Sequence, residues 1–389
     1  GDVVAIKDYA NTFDTNNVTL VQNGSDKIGG STDNAILSVE GLAVTLVFVD
    51  STQGWLVTDN GTQDTASTAQ YIVATGGTIT TIGDFKVHAF TGPGTFTVCS
   101  VGNPGGSNAV ETMIVAGGGG AGFDRAGGAG AGGMVLTPTC GVSVTATGFP
   151  ISVGAGGAGI ASPLGPGAHV GANGVNSTGF SLTAIGGGGT SRGGNSRPLG
   201  EVTGEPGGSG GGGTAGCGAI GPGGPAIQPT QPGNSGSFGK GFAGGDAAGP
   251  GAQTGGGGGA SAVGANAVSN TSSGNGGAGF DVSPRFGTAP QPFYQANDPA
   301  NGPTAGGIFA GGGGGGASGP APSSSGGSGG PGGGGFAGNS PINTGNATGK
   351  NGLTNTGGGG GGSSNISGAP YSGGNGGSGI VLIRYKFQN

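Results

Sequence analysis

The chain has little charge, few histidines and cysteines, and no long apolar run. Charged residues make up 7% of its 389 residues, and there are only 2 histidines and 3 cysteines. No apolar run reaches the roughly 18 residues of a membrane span, and no His or Cys pair has zinc-site spacing. A net charge of −6 disfavours nucleic acid, whose phosphates attract basic faces. The sequence therefore predicts no metal, no cofactor, no membrane insertion and no nucleic-acid binding.

Glycine is what the chain has in excess. Of its 108 glycines, 15 lie in residues 1–110 and the other 93 (108 − 15) in the remaining 279 residues. Blocks of "GGGG" break a G-X-Y register, which excludes collagen. Two alternatives remain: a disordered linker, or a bundle of polyproline II helices that only glycine allows to pack closely. Low charge, with 7 acidic and 8 basic side chains in residues 111–389, favours the ordered bundle.

Outside the glycine blocks, apolar and polar residues alternate as in half-buried strands, with turn signals at Asn23-Gly24 and Asn60-Gly61. The stretches Val110–Gly122 and Gly376–Phe387 bracket the glycine-rich segment, and pairing between them would close it as one unit. Strands are predicted near residues 2–7, 17–22, 34–39, 43–50, 54–58, 69–75, 78–82, 84–91, 95–100 and 110–116.

The predicted fold class is all-β, with almost no α-helix. A short antiparallel β-strand domain over residues 1–66 is followed by a glycine-rich domain over residues 67–389. Within the latter we predict β-strands over 67–116, a polyproline II helix bundle with loops over 117–377 and a closing β-strand over 378–389. The core of the first domain is small, so we expect burial between subunits to support it.

The few reactive side chains suggest structural roles. His88 lies in the alternating stretch "FKVHAF", which predicts a strand position. A disulfide between Cys99 and Cys140 is one alternative, since each ends a predicted strand; buried free thiols, Cys217 included, are favoured. Asn-x-Ser/Thr sequons matter only in a glycosylating host, and they lie at Asn17, Asn23, Asn60, Asn176, Asn270, Asn346 and Asn365.

The segments that interrupt the glycine blocks concentrate arginine, aromatic, proline and amide residues. If the blocks form a rigid lattice, these segments are loops at its ends, where binding residues are commonly carried. Aromatic faces and a planar guanidinium suit sugar surfaces, but the aromatics serve equally well as anchors of the loops. The candidate receptor-binding residues are Arg285, Phe286, Phe293, Tyr294, Arg197 and His169.

Two parts of the chain carry a resemblance to known families. "GDVVAIKDYANTFDTNNVTLVQNGSDKIGG" with "VTLVFVDSTQGW" resembles the β-repeat near the distal end of bacteriophage tail fibres. "FKVHAFTGPGTFTV", "VETMIVAGGGGAG" and "GGSGIVLIRYKF" resemble the glycine-rich domain that commonly follows it. The interrupted glycine blocks are also similar in architecture to distal adhesins of some T-even-type phages. In those adhesins, stacked polyproline II helices hold variable receptor-binding loops.

These observations predict a structural fibre subunit at a virion surface or otherwise outside the cell. Its glycine-rich tip would bind a host cell-surface glycan or an outer-membrane receptor, and it would form a trimer or another homo-oligomer. The alternative is a self-assembling extracellular filament with strand sharing between protomers, suggested by a chain that begins at Gly1 inside an apparent strand. Enzymatic activity is not predicted, because the carboxylates closest in sequence within the glycine-rich part, Glu201 and Glu205, are weak candidates for a depolymerase pair.

Overall fold

The computed structural model divides the chain into two compact units. Unit 1 comprises Gly1–Gln70 with Asn103–Gly106, and unit 2 comprises Tyr71–Gly102 with Ser107–Asn389. The structure describes residues 1–62, 69–103, 106–161, 170–195, 202–217, 219–228, 238–249, 253–269, 271–296, 298, 302, 306–317, 325–340, 346–365 and 371–388.

Unit 1 is an antiparallel β structure with a small core. Its strands are β1 (Val3–Lys7), β2 (Val18–Leu20), β3 (Ala35–Leu37), β4 (Leu42–Asp50) and β5 (Gly54–Thr62). They form a three-stranded sheet of order β1-β4-β5 and a β2–β3 pair. Alternate residues of β4, Val44 and Leu46, point inward and are buried with Leu37, while Trp55 packs against them. The alternation in the sequence is therefore the inward and outward alternation of these strands.

Asp8 fixes the loop after β1. Its carboxylate accepts backbone N–H bonds from Thr12 (3.1 Å), Phe13 (2.9 Å) and Gly41 (3.0 Å). Burial by itself raises the pKa of this carboxyl, but the backbone donors outweigh burial, and the net pKa lies below its ordinary value. Because the folded-state pKa is lowered, Asp8 stabilises unit 1 above the ordinary carboxyl pKa, and this stabilisation is lost as pH falls through the folded-state pKa.

We therefore expect Asp8→Asn to lower the urea midpoint of unit 1 at pH 7, because an amide N–H₂ would face the backbone donors. The difference from the wild type should shrink as the pH falls below about 4, where the wild-type carboxyl also becomes protonated. Fluorescence of Trp55, the only tryptophan, reports unit 1 selectively. Asp59→Asn, at an exposed position of β5, is the matched control. A pH-independent gap would contradict the role assigned to the Asp8 carboxylate.

Within the described ranges, unit 2 contains the remaining strands and one short helix, α1 (Ser283–Phe286), so the prediction of an all-β chain with almost no helix is confirmed. Among the described residues, no helix is long and apolar enough to cross a membrane. The strands are β6 (Val73–Thr75), β7 (Thr78–Ile82), β8 (Phe85–Phe90), β9 (Gly94–Ser100), β10 (Ala109–Val115), β11 (Met134–Leu136), β12 (Val142–Ser143), β13 (Gly148–Ile151), β14 (Ser177–Gly179), β15 (Leu182–Ala184), β16 (Gly194–Asn195), β17 (Ala215–Cys217), β18 (Ala219–Ile220), β19 (Gly239–Lys240), β20 (Phe280–Asp281), β21 (Ile308–Phe309) and β22 (Ile380–Lys386).

The main sheet of unit 2 has the order β19-β11-β10-β22-β8-β7, with β12 also pairing with β10. The predicted closure is confirmed: β10 pairs antiparallel with β22, with Val115 opposite Ile380. Residues on one face of this sheet pack with β9 and β13 around Phe96, and residues on the other face pack with the segment that contains Phe286 and Phe309. Both faces are covered, which explains the nearly continuous apolar runs of β10 and β22.

His88 occupies the predicted strand position in β8 and is fully buried. Its Nδ1 lies 2.6 Å from the carbonyl oxygen of Gly76, and its Nε2 lies 3.1 Å from the hydroxyl oxygen of Tyr385. Burial lowers the pKa of the imidazole. The side chain is therefore a hydrogen-bonded part of the core.

The glycine-rich segments of unit 2 are ordered by backbone hydrogen bonds between segments. In residues 310–317 these bonds repeat every three residues: the N–H groups of Gly312 and Gly315 donate to the carbonyls of Gly277 and Gly274, in reverse order along the partner. All eight residues of this segment are buried. Within the described part of the chain it is hydrogen-bonded to six other segments, namely 126–129, 257–260, 274–277, 327–330, 332–335 and 356–365.

Segments at the edge of the bundle, which we call rim segments, show the same three-residue period in the exposure of their residues. In residues 154–160, Gly154, Gly157 and Ile160 are buried, whereas Ala155 and Ala158 are exposed. At the rim one residue in three faces solvent, whereas the other two face neighbouring segments: a Cβ on Gly156 would overlap the carbonyl oxygen of Gly376, and one on Gly157 would overlap that of Ala172. A surrounded segment requires small residues throughout. This difference accounts for the two kinds of block in the sequence, "GAGGAGI" and "AGGGGGGA".

Exposed amide side chains complete the hydrogen bonding where a rim segment has no further neighbour. The Oδ1 atom of Asn375 accepts the N–H of Gly159 (2.8 Å), and the N–H of Asn375 donates to Oδ1 of Asn351 (2.9 Å). Likewise Oδ1 of Asn275 accepts the N–H of Ser328 (2.8 Å). These side chains supply the carbonyl acceptor that a neighbouring backbone supplies in the interior.

Candidate functional site

The aromatic residues predicted to contact a receptor are buried. Phe286 has no exposed surface, and Phe293 and Tyr294 retain 5% and 8%. Together with Phe309 they cover one face of the main sheet. The Tyr294 hydroxyl donates to the Gly287 carbonyl (2.8 Å), and burial, with a contribution from Asp281, raises the pKa of that hydroxyl. Their rings therefore anchor this segment, and the expectation of exposed stacking faces is corrected.

Arg285 is held in an ion cluster beside the same segment. Its Nε donates to Oε2 of Glu111 (3.0 Å), its Nη2 donates to the same oxygen, and its Nη1 donates to the Thr137 carbonyl (2.7 Å). Arg384, opposite Glu111 on β22, shares the carboxylate through Nη2 at 3.5 Å from Oε1. The hydrogen bonds between the Arg285 guanidinium and the Glu111 carboxylate therefore connect α1 to β10.

The other predicted residues are placed as follows. Arg197, His169, Glu201 and Asn270 lie outside the described residues. Cys99 and Cys140 are free thiols, as favoured, but both are exposed, so the expectation of burial is wrong for these two. The side chain of Cys217 is not among those that the structure describes. The described sequon asparagines Asn17, Asn23, Asn60, Asn176 and Asn346 are exposed, and Asn365 is partly buried.

A different group of charged residues lies at the end of the bundle away from the main sheet. Strand β10 continues into residues 116–122, the chain turns at residues 123–125, and residues 126–133 return toward β11. The turn residues Asp124 and Arg125 both have left-handed backbones, with φ of 58° and 62°. Phe123 is buried beneath the turn. We call Phe123–Arg125 with Arg192 and Asn365 the end cluster.

The end cluster contains two guanidinium groups and one carboxylate. The guanidinium of Arg192 lies over the Phe123 ring, 4.9 Å from its centre. Oδ1 of Asp124 accepts a bond from Nδ2 of Asn365 (2.7 Å) and lies 3.5 Å from Nε of Arg125. The Nε atoms of Arg125 and Arg192 are both buried without a hydrogen-bond partner in the described part of the chain.

This arrangement is suited to accepting an anionic or strongly polar group. Both arginine residues are only partly buried, and guanidinium groups bind planar oxyanions well. Sequence reasoning did not single out this cluster. The sequence signal for this cluster was "FDR", an aromatic residue and two charged residues between two glycine-rich blocks. In the structure these two blocks run in opposite directions.

No cluster of three or more His, Cys, Asp or Glu side chains within the described ranges could hold a metal ion.

The fold and the end cluster define a glycine-rich, all-β protein in which a sheet closes a hydrogen-bonded bundle. A family model for a glycine-rich domain matches residues 90–386. The chain therefore belongs to this glycine-rich domain family. No curated protein matches the chain.

Proposed function

We propose that the protein is a structural fibre subunit whose glycine-rich region is a bundle of polyproline II helices that holds a receptor-binding end. The three-residue hydrogen-bond repeat supports this proposal, because polyproline II has three residues per turn and no internal hydrogen bonds. Its outward N–H and C=O groups must find partners on neighbouring segments, as they do around residues 310–317.

The end cluster carries the functional part of the proposal. Arg125 and Arg192 bring two partly buried guanidinium groups to the end of a hydrogen-bonded bundle, beside the single carboxylate of Asp124. A bundle fixed by so many backbone bonds positions these groups at low entropic cost on binding. The partner is a host cell-surface glycan or another outer-surface receptor. The setting is a bacteriophage tail fibre at the virion surface, in line with the resemblance of the chain, and the subunits form a homo-oligomer.

The test is a double substitution, Arg125→Gln with Arg192→Gln. We expect receptor binding, measured on a glycan array and by adsorption to host cells, to fall at least about tenfold, because charge-assisted bonds are lost. Lys240→Gln, at the end of the bundle next to the main sheet, is the matched control and should bind as the wild type does. Unchanged binding of the double variant, with its melting temperature preserved, would contradict the assignment of the receptor site to the end cluster.

A self-assembling extracellular filament with strand sharing is the second candidate. It is favoured by β1, an edge strand of the unit 1 sheet that carries the exposed side chains of Val3 (62%) and Val4 (43%). An unpaired edge with apolar side chains is a template for a strand from another copy. Negative-stain images separate the candidates, since short fibres on capsids support the first and long uniform filaments support the second.

A further inference from the structure

The β14–β15 hairpin of unit 2 has an unusual turn. Gly179 pairs with Leu182, so Phe180 and Ser181 form a two-residue connection, and their φ values are 54° and 59°. Turns of this kind ordinarily use Asn-Gly, because both central residues are left-handed. A bulky aromatic residue in this conformation is uncommon and is disfavoured by contact between Cβ and the backbone. Strain of this kind is often retained at functional sites.

The left-handed turn places the Phe180 ring beside Phe149 of β13. The two ring centres are 4.9 Å apart with an angle of 33° between the planes, and the Phe180 ring also meets the edge of Phe96 at 5.9 Å. Phe96 is fully buried, whereas Phe149 and Phe180 are only partly buried. The hairpin therefore presents an aromatic pair at the border between the core and solvent.

This aromatic pair lines a surface pocket of about 520 Å³. The volume lies within the range of small-molecule sites, roughly 300–1,000 Å³. Ser143, Thr178 and Ser181 also line it, and their hydroxyl groups make no hydrogen bond within the described part of the chain. No charged side chain is among the described residues that line the pocket.

We propose that this pocket binds a neutral sugar ring of an oligosaccharide. The apolar C–H face of a pyranose packs on aromatic rings, and hydroxyl side chains exchange hydrogen bonds with sugar hydroxyls in both directions. A neutral ligand is required, because a charged group would be desolvated here without a countercharge. The site is separate from the end cluster, and the inference does not rest on the receptor role proposed for Arg125 and Arg192.

Phe180→Asn is the decisive variant, because asparagine tolerates the left-handed turn but has no ring. Binding is measured by calorimetry and by NMR titration with maltotriose, cellotriose, chitotriose and mannotriose at up to about 20 mM, a range that captures weak single-site affinities. We expect the wild type to bind at least one of these probes, and Phe180→Asn to raise its Kd at least about tenfold. Phe242→Asn, which removes a partly exposed ring that does not line the pocket, should bind within about twofold of the wild type.

A second variant guards against a folding defect in the first. Thr178→Val keeps both rings and the shape of the side chain but removes one hydroxyl group, and it should raise the Kd at least about threefold. The proposal is overturned if the wild type binds none of the four probes. It is equally overturned if Phe180→Asn and Thr178→Val both bind with the wild-type Kd. Arg125→Gln with Arg192→Gln should leave this Kd unchanged, so failure of the end cluster as a receptor site is distinguishable from failure of this pocket.

Discussion

Replacing Gly313 or Gly314 by valine is expected to destabilise unit 2 by several kcal/mol. A Cβ on Gly313 would overlap the carbonyl oxygen of Gly360, and one on Gly314 would overlap that of Gly327. Both neighbours are backbone atoms of other segments, so relief requires the bundle to open. Overpacking and the loss of backbone hydrogen bonds each cost roughly 1–3 kcal/mol. We expect the melting temperature of unit 2 to fall by about 5 °C or more.

Ala158→Val is the matched control for this prediction, because residue 158 is an exposed position of a rim segment. Its side chain points to solvent, and the change should cost less than about 0.5 kcal/mol. Hydrogen exchange is an independent measurement: the amides of Gly313 and Gly314, bonded to Ala129 and Gly335, should be strongly protected. Equal melting temperatures for the valine variants at positions 313 and 158 would contradict the prediction. They would indicate that residues 310–317 behave as a disordered linker, in which such a change is nearly neutral.

The strands β1 to β10, the closing strand β22 and the closure of the glycine-rich segment could be predicted from the sequence, whereas the short strands β11 to β21 were not predicted. Alternation identified β4, and the two apolar runs that became β10 and β22 lie at either end of the glycine-rich segment and pair as expected. Their positions follow from side-chain patterns, which encode burial directly. Rim and interior segments could also be distinguished, since "GAGGAGI" and "AGGGGGGA" differ in how often a larger residue is tolerated.

The arrangement of the glycine segments could not be predicted in the same way. Among the described residues, six segments drawn from positions 126 to 365 surround residues 310–317. Glycine has no side chain, so one block carries almost no information that distinguishes its neighbours from any other block. The pairing of β10 with β22 fixes the two ends of the glycine-rich segment, but no side-chain pattern specifies which blocks lie side by side.

The role of the aromatic residues in 280–309 was also undetermined by local sequence. A tyrosine or phenylalanine in a loop is compatible both with ligand contact and with anchoring. The deciding information lay elsewhere: β10 and β22 are apolar on both faces, so a second apolar layer was required to cover them. Phe286 and Phe309 belong to that layer. The end cluster, in contrast, depends on a turn that brings Arg125 and Arg192 together, which no local pattern specifies.

Phe286→Ala is therefore expected to destabilise unit 2 by about 3–5 kcal/mol, the usual cost of removing a buried phenylalanine ring. Phe286 is fully buried on the main sheet, and the cavity it would leave is bordered by other buried side chains of the same core cluster. Thermal and urea unfolding of unit 2 measure the effect. Phe242→Ala, at a rim position where the ring is 39% exposed, is the matched control and should cost about 1 kcal/mol or less.

The same variant separates the two roles of the 280–309 segment. If Phe286 is an anchor, receptor binding by the fraction that remains folded should be close to that of the wild type, because the ring does not reach the surface. Stability and binding are therefore measured on the same preparations, with binding expressed per folded molecule. A Phe286→Ala protein with wild-type stability and lost receptor adsorption would mean that the ring contacts the receptor. In that case the binding surface would lie beside the main sheet and not at the end cluster.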